Sequence, residues 1–130
     1  CSSFIFATAL PPAVLGAMDA ALELLPSMGK ARKSLLANAE YLRGALKQAG
    51  LDVGESTTQI IPVILGNNER CVAVSRSLEK KGLLGIAVRP PAVPVGKSRL
   101  RLSLSANHSR DNIQRLIQGV IQSVAEVDRA

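Results

Sequence analysis

The hydrophobic positions of this chain change their spacing along its length, which separates helical from extended segments. Pro11-Pro12 precedes an apolar-rich run over about residues 12–25. Proline is tolerated in the first turn of a helix but not in its interior, so this run predicts a helix that Pro26 ends. A second helix is expected over about residues 29–49, with Gly50 at the position of a left-handed cap. Its apolar positions form a narrow stripe of Leu35, Ala39, Leu42, Leu46 and Ala49.

The middle of the chain alternates between short extended runs and a helix. Residues 60–65 form a mostly β-branched run before a turn and predict a buried strand. Residues 69–81 predict a helix, with a capping glycine directly after it. Residues 86–88 predict a short strand and residues 100–105 a further one. In the latter, leucine alternates with arginine and serine, which indicates one buried face and one polar face.

A last helix is predicted from Arg110, with Ser109 as N-cap and Asp111 in its first turn. The element order α-α-β-α-β-β-α predicts an α+β domain, in which helices pack on one face of a small, at least partly antiparallel sheet. The apolar face of the last helix consists of Ile113, Leu116, Ile117, Val120, Ile121, Val124 and Val127.

Composition and charge narrow the classes of partner. Hydrophobic residues make up 47% of the 130 residues and aromatic residues only 2%, so the core must be aliphatic. The formal net charge of +6 falls entirely in residues 67–130. A basic half predicts an anionic partner, and nucleic acid, a phosphorylated cofactor and coenzyme A would each qualify. The scarcity of aromatic residues and the dispersal of the cations disfavour nucleic acid.

Several classes of protein lack support in the sequence. The most apolar stretch, residues 13–25, is interrupted by Asp19 and Glu23, which excludes a membrane span there. The two cysteines, Cys1 and Cys71, make no disulfide framework and fit a reducing cytoplasm. No Gly-x-Ser-x-Gly, Cys-x-x-Cys or His-Glu-x-x-His motif supports a serine hydrolase or a metal site. The chain begins with Cys rather than Met, so we expect a piece of a longer protein.

The candidate binding residue with the clearest physical rationale is Arg89, on a proline-rich loop between two strands. Proline fixes its own φ and restricts the residue before it, so Arg89 has few conformations to lose on binding. A guanidinium held in this way can bind a carboxylate through two parallel N–H···O bonds. A merely solvated surface arginine is the alternative, and the physical argument alone favours that alternative.

Other polar residues of the second half have mainly structural interpretations. His108 is the only histidine, and its place between a strand and a helix cap favours a hydrogen-bonded structural role over acid–base chemistry. Arg99 and Arg101 lie on the polar strand face. Solvated or interdomain ion pairs are expected there, with coenzyme A phosphate as the weaker alternative. Gly82-Leu83-Leu84-Gly85 resembles the Gly-x-x-Gly of KH RNA-binding domains, but a helix C-cap explains Gly82 better.

Four segments, in order, resemble the C-terminal domain of the α-oxoamine synthases, a family of pyridoxal-phosphate-dependent enzymes. Residues 89–108 contain Arg-Pro-Pro-x-Val-Pro-x-Gly-x-Ser-Arg-Leu-Arg and Leu-Ser-Ala-Asn-His-Ser and carry the strongest likeness. Residues 4–12, 60–66 and 67–70 agree with it. Arg-Pro-Pro, rather than the Tyr-Pro or Phe-Pro of sister enzymes, resembles the 8-amino-7-oxononanoate synthase branch.

The resemblance implies the small C-terminal domain of a fold-type-I pyridoxal 5'-phosphate enzyme over residues 29–130. Residues 1–28 would lead from a missing large domain and carry the first helix. The implied reaction condenses L-alanine with pimeloyl-CoA or a pimeloyl-carrier protein, with decarboxylation, in biotin biosynthesis. The implied enzyme is a cytoplasmic homodimer. Its cofactor lysine would lie outside this chain, so the chain alone is expected to be inactive.

The resemblance also assigns two site residues. Arg89 would bind the carboxylate of the amino-acid substrate, and Thr8 would contact the phosphate of the neighbouring subunit's cofactor. Ala7 stands where the family commonly has Ser, and Ala92 where it usually has Thr, so hydroxyl contacts from these positions are absent. Three alternatives stay open: another α-oxoamine synthase, a stand-alone basic α+β module that binds RNA, and a regulatory small-molecule domain.

Overall fold

The computed structural model describes residue 5 and residues 7–129 of the chain. Two compact units divide it, Cys1–Arg32 and Lys33–Ala130. Three residues used above, Cys1, Phe4 and Phe6, lie outside the described residues.

The amino-terminal unit is helical. Helix α1 spans Pro12–Leu24, and a 3-10 helix spans Leu25–Met28. Pro26 ends α1 as predicted, but the chain stays helical because proline is accommodated in the first turn of the 3-10 helix. Helix α1 buries none of its residues. No helix in the described part of the chain is both long enough and apolar enough to cross a membrane.

The remaining elements follow in the predicted order. They are α2 (Gly29–Gln48), which crosses the boundary between the units, β1 (Ile60–Gly66), α3 (Asn68–Lys80), β2 (Ile86–Val88), β3 (Ser98–Ser103) and α4 (Arg110–Asp128). Neighbouring strands in the sheet are hydrogen-bonded in the order β1-β3-β2, and both pairs are antiparallel. The α+β prediction is therefore confirmed, with a sheet that is antiparallel throughout.

One aliphatic core lies between the sheet and its helices. Ile61 pairs with Leu102 and Val63 with Leu100, and all four side chains are buried on the same face of the sheet. Helices α2, α3 and α4 contribute to the same cluster, so the helices cover one face as predicted. Their fully buried contributions include Ala39, Leu42, Leu46, Cys71, Val74, Leu78, Ile113 and Val120.

Three details differ from the sequence prediction. Strand β3 begins at Ser98, not at residue 100, because a turn closed by the Lys97 N–H on the Pro94 carbonyl (3.0 Å) brings Ser98 opposite Gly66. It ends at Ser103, not at residue 105, because its pairing with β1 ends where Ser103 lies opposite Ile60. Strand β1 alternates between buried and more exposed residues, since only one side of the sheet is covered. Ile121 is exposed because it lies at the margin of the apolar stripe of α4.

The predicted helix ends are observed. Gly50 and Gly82 have φ of 79° and 71° and stand two residues after the last residue of α2 and α3, where a left-handed residue ends the helix. At the start of α4, the Ser109 hydroxyl accepts from the Asn112 N–H, and the Asn112 side chain accepts from the Ser109 N–H. This reciprocal pair satisfies two donors that the first turn would leave free.

Candidate functional site

Arg89 directly follows β2 and stands before a cis Pro90-Pro91 bond. Its carbonyl accepts a hydrogen bond from the Ala92 N–H (3.0 Å), which closes a turn at the start of the loop. The side chain is exposed, and its guanidinium has no hydrogen-bond acceptor among the residues that the structure describes. An arginine with a fixed backbone and free donors can bind a carboxylate through two of those donors.

Both ends of the segment that carries Arg89 are hydrogen-bonded to helix α3. Before β2, the Ser75 hydroxyl donates to the Gly85 carbonyl (2.5 Å). After the loop, the hydroxyl of buried Ser98 donates to Asn68 Oδ1 (2.5 Å). Local sequence patterns do not reveal these two contacts, because each joins residues of different elements.

Cys71 of α3 lies beneath the base of the loop. Its side chain is fully buried, and burial raises the pKa of its thiol. The backbone N–H of Val88 and the positive charge of Arg89 lower the same pKa, but by less than burial raises it. Both groups belong to the end of β2 and the residue after it, so the thiol lies beside that end of the strand. The net effect is a protonated thiol at neutral pH, as expected for a small apolar core residue.

Thr8 belongs to the amino-terminal unit and precedes α1. Its side chain is exposed and has no hydrogen-bond partner in the described part of the chain. Arg89 lies in the other unit, so each candidate is placed within its own unit. The contact of Thr8 with a cofactor phosphate stays a prediction.

His108 lies in the turn between β3 and α4. Its Nδ1 accepts from the Ser105 N–H (3.1 Å), and its carbonyl accepts from Asn38 Nδ2 (3.4 Å). The ring therefore helps to close the turn, as a structural role requires. In the neutral form the proton sits on Nε2, because Nδ1 is an acceptor. The ring also lines a groove of about 360 Å³ together with Arg101 and Arg115.

Arg99 and Arg101 lie on the uncovered face of the sheet. Arg99 Nε donates to the Lys97 carbonyl (3.0 Å). The ion pairs of the described residues involve other side chains, so neither arginine has a carboxylate partner within this part of the chain. Solvation or an interdomain ion pair stays the expectation for both.

The glycines of the Gly-x-x-Gly segment have packing explanations. A Cβ at Gly85 would lie 2.9 Å from Leu78 Cδ1, and Leu83 packs so closely on Gly119 that a Cβ there would lie 2.2 Å from its Cδ1. Of the two leucines between these glycines, Leu83 packs on Gly119, whereas Leu84 is 78% exposed. Close packing around Gly85 explains that glycine without a nucleic-acid contact. Across the described residues, no group of three His, Cys, Asp or Glu side chains could hold a metal ion.

The sequence profile of the family described as aminotransferase class I and II matches residues 1–120. A Magnetococcus marinus protein with the provisional name 8-amino-7-oxononanoate synthase is 57% identical over 125 residues, which are 96% of this chain and 32% of that protein. A Gluconacetobacter diazotrophicus protein named 8-amino-7-oxononanoate synthase is 43% identical over 97% of this chain and 32% of its own length. The chain thus spans about a third of the length of these relatives.

A solved structure agrees with these matches. Serine palmitoyltransferase from S. paucimobilis, with bound PLP and myriocin, superposes on the whole chain with a TM-score of 0.90 at 30% identity, over 33% of its own chain. The α+β architecture predicted from the sequence is thus the architecture of part of a fold-type-I pyridoxal phosphate enzyme.

Pyridoxal phosphate is the cofactor of this family, and the described residues fit it only in part. Arg89 offers free donors for the carboxylate of an amino acid bound at the cofactor, and Thr8 offers a hydroxyl for a phosphate. Two grooves among these residues are lined by no lysine, and the partly buried Lys81 is paired with Glu126. From the match over residues 1–120, supported by the relatives and the shared fold, the chain belongs to the aminotransferase class I and II family, within its pyridoxal-phosphate enzymes of fold type I.

Proposed function

We propose that this chain is the C-terminal part of an 8-amino-7-oxononanoate synthase, which condenses L-alanine with a pimeloyl thioester and releases carbon dioxide and the free thiol of the acyl carrier. The observation that carries the proposal is Arg89, held by its backbone with its guanidinium free, in a chain 57% identical to a relative of that name. The acyl donor would be pimeloyl-CoA or a pimeloyl-carrier protein, and the product a precursor of biotin.

In this mechanism Arg89 binds the carboxylate of L-alanine through two parallel hydrogen bonds. A bidentate contact fixes the direction of the carboxylate as well as its position, and thereby orients the bonds of the α-carbon. The bound cofactor supplies an electron sink that stabilises negative charge at that carbon. Because Arg89 acts on the carboxylate, its contribution is to substrate binding and orientation.

Thr8 takes a different role in the proposal. Its hydroxyl donates a hydrogen bond to the phosphate of the cofactor held by the neighbouring subunit of a cytoplasmic homodimer. Ala7 supplies no second hydroxyl, so Thr8 is the single side-chain donor that this segment offers at residues 7 and 8. The exposure of Thr8 supports the proposal, because the hydroxyl is not used within the described residues.

The lysine that carries the cofactor lies outside this chain in our proposal. Isolated residues 1–130 should therefore show no synthase activity and no stoichiometric visible band on addition of pyridoxal phosphate. Borohydride reduction followed by mass spectrometry checks this directly. Weak labelling scattered over surface lysines agrees with the proposal, whereas stoichiometric labelling of one defined lysine would overturn it.

The experiment that tests the function is a condensation assay with the full-length enzyme that carries this chain. We expect product from L-alanine with a pimeloyl thioester, and little from L-serine with palmitoyl-CoA, the pair implied by the name serine palmitoyltransferase. Arg89→Ala should raise KM for L-alanine much more than KM for the thioester. Preferred turnover of the serine and palmitoyl pair would assign the chain to another α-oxoamine synthase.

A further inference from the structure

One face of helix α3 runs along the segment that carries Arg89. Its residues Asn68, Cys71, Ser75 and Leu78 are spaced by three, four and three positions, so they share that face over about 15 Å. Together they contact the segment at three places. Along the helix the contacts are Asn68 with Ser98, Cys71 with the end of β2, and Ser75 and Leu78 with Gly85.

The two hydrogen bonds of this face hold opposite ends of the segment. Ser75 binds the chain where it enters β2, and Asn68 binds it where the loop enters β3. The Ser98 side chain is fully buried, so the loss of its acceptor would leave a buried hydroxyl unsatisfied. Between the two ends, the loop is shaped by its own turns, closed at Ala92 and Lys97.

We infer that Asn68 and Ser98 are positioning residues for Arg89, through which α3 sets where the guanidinium stands. The inference rests on the proposed role of Arg89 as the carboxylate anchor. Because a displacement of about 1 Å can cost a large factor in a bound geometry, a buried hydroxyl that holds the end of the loop can change substrate affinity through Arg89. Cofactor affinity should be independent of this contact.

The test uses the full-length enzyme and measures the affinity for L-alanine from the absorbance change of the bound cofactor. We expect Ser98→Ala and Asn68→Ala each to weaken alanine binding by about 3- to 10-fold. Asn68→Asp keeps an acceptor for the Ser98 hydroxyl and should restore affinity to within about twofold. Cofactor affinity should be unchanged in all three variants.

Ser123→Ala is the matched control. Ser123 is as fully buried as Ser98 and accepts a hydrogen bond from the Ser77 hydroxyl (3.0 Å), but it lies between α3 and α4, not beside the loop. An equal loss of alanine affinity in Ser98→Ala and Ser123→Ala would overturn the inference. If Ser98→Ala does not fold, the comparison of Asn68→Ala with Asn68→Asp decides, because Asn68 is exposed.

A double-mutant cycle separates this inference from the proposed function. If Ser98 acts through Arg89, Ser98→Ala should have no further effect in an Arg89→Ala background. A full additional loss there would overturn the positioning role and leave the role of Arg89 standing. Unchanged alanine affinity in the single variant Arg89→Ala would overturn the proposed function. In that case the effect of Ser98 on the loop is still measurable, because Ser98→Ala should speed the hydrogen exchange of the Ala92 amide.

Discussion

The two units of this chain contain similar hydrophobic residues but use them differently. Helix α1 buries nothing, and Leu22 is 65% exposed, whereas Leu42 of α2 is 0% exposed in the core of the carboxy-terminal unit. The candidate residues follow the same division. Arg89 stands on a segment hydrogen-bonded at both ends, while Thr8 has no such partner among the described residues. A site residue is thus fixed in position only where the packed unit supports it.

Leucine substitutions test this contrast most strongly. Leu42→Ala removes a fully buried side chain and should lower the free energy of unfolding of the isolated chain by about 2–5 kcal/mol. Leu22→Ala removes an exposed side chain and should change it by less than about 0.5 kcal/mol. Urea unfolding followed by circular dichroism measures both. Equal losses would show that α1 is packed as well as the core.

Two helical glycines of the carboxy-terminal unit differ in how closely other side chains pack against them. Gly119→Ala places a Cβ against Leu83 and should cost about 1–3 kcal/mol, offset in part by about 1 kcal/mol of helix propensity. Gly44 is also helical but has nothing within 4 Å of a Cβ, so Gly44→Ala should stabilise the chain by up to about 1 kcal/mol. Thermal unfolding should therefore move in opposite directions, and a common direction would contradict the packing of Leu83.

Thr8 provides the corresponding test in the amino-terminal unit. In the full-length enzyme, Thr8→Ala should weaken pyridoxal phosphate binding by about tenfold, since a hydrogen bond to a charged phosphate is lost. Thr8→Ser should retain most of the affinity. Thr57→Ala, an exposed threonine of the other unit, is the control. Equal cofactor affinity in Thr8→Ala and Thr57→Ala would remove Thr8 from the site.

The smallest effect concerns the ion pair between α3 and the end of α4. The Arg70 guanidinium hydrogen-bonds Asp128 (2.7 Å) and lowers the pKa of that carboxyl. Because the pKa of Asp128 is lower in the folded chain than in the unfolded chain, the ion pair stabilises the fold at pH values above the ordinary pKa of a carboxyl group. This stabilisation is lost as the pH falls through the lowered pKa. Asp128→Asn should thus be slightly less stable than wild type at pH 7 and indistinguishable from it near pH 2, which urea unfolding at the two pH values measures. A difference for Asp128→Asn that persists at low pH would contradict the pairing.

Local signals predicted the elements well, and non-local contacts explain the errors. The Gly50 and Gly82 caps and the Ser109 N-cap are encoded within a few residues, so the helix bounds followed from the sequence. The start of β3 depends on the pairing of Ser98 with Gly66, which no local pattern reveals. The same holds for the site. The Arg89 motif was visible in the sequence, but the hydrogen bonds of Ser98 with Asn68 and of Gly85 with Ser75, at the two ends of its segment, required the fold.

A titration of the full-length enzyme with L-alanine tests most directly whether Arg89 binds the substrate carboxylate. Loss of a charge-assisted bidentate contact should cost about 2–4 kcal/mol of binding free energy, so Arg89→Ala should weaken alanine binding by about 30- to 1000-fold. Arg89→Lys should recover only part of this, because an ammonium lacks the planar fork. Lys97→Ala removes an exposed cation of the same loop and should bind L-alanine like wild type. Equal affinity in wild type, Arg89→Ala and Arg89→Lys would show that Arg89 is a solvated loop residue and would contradict the account.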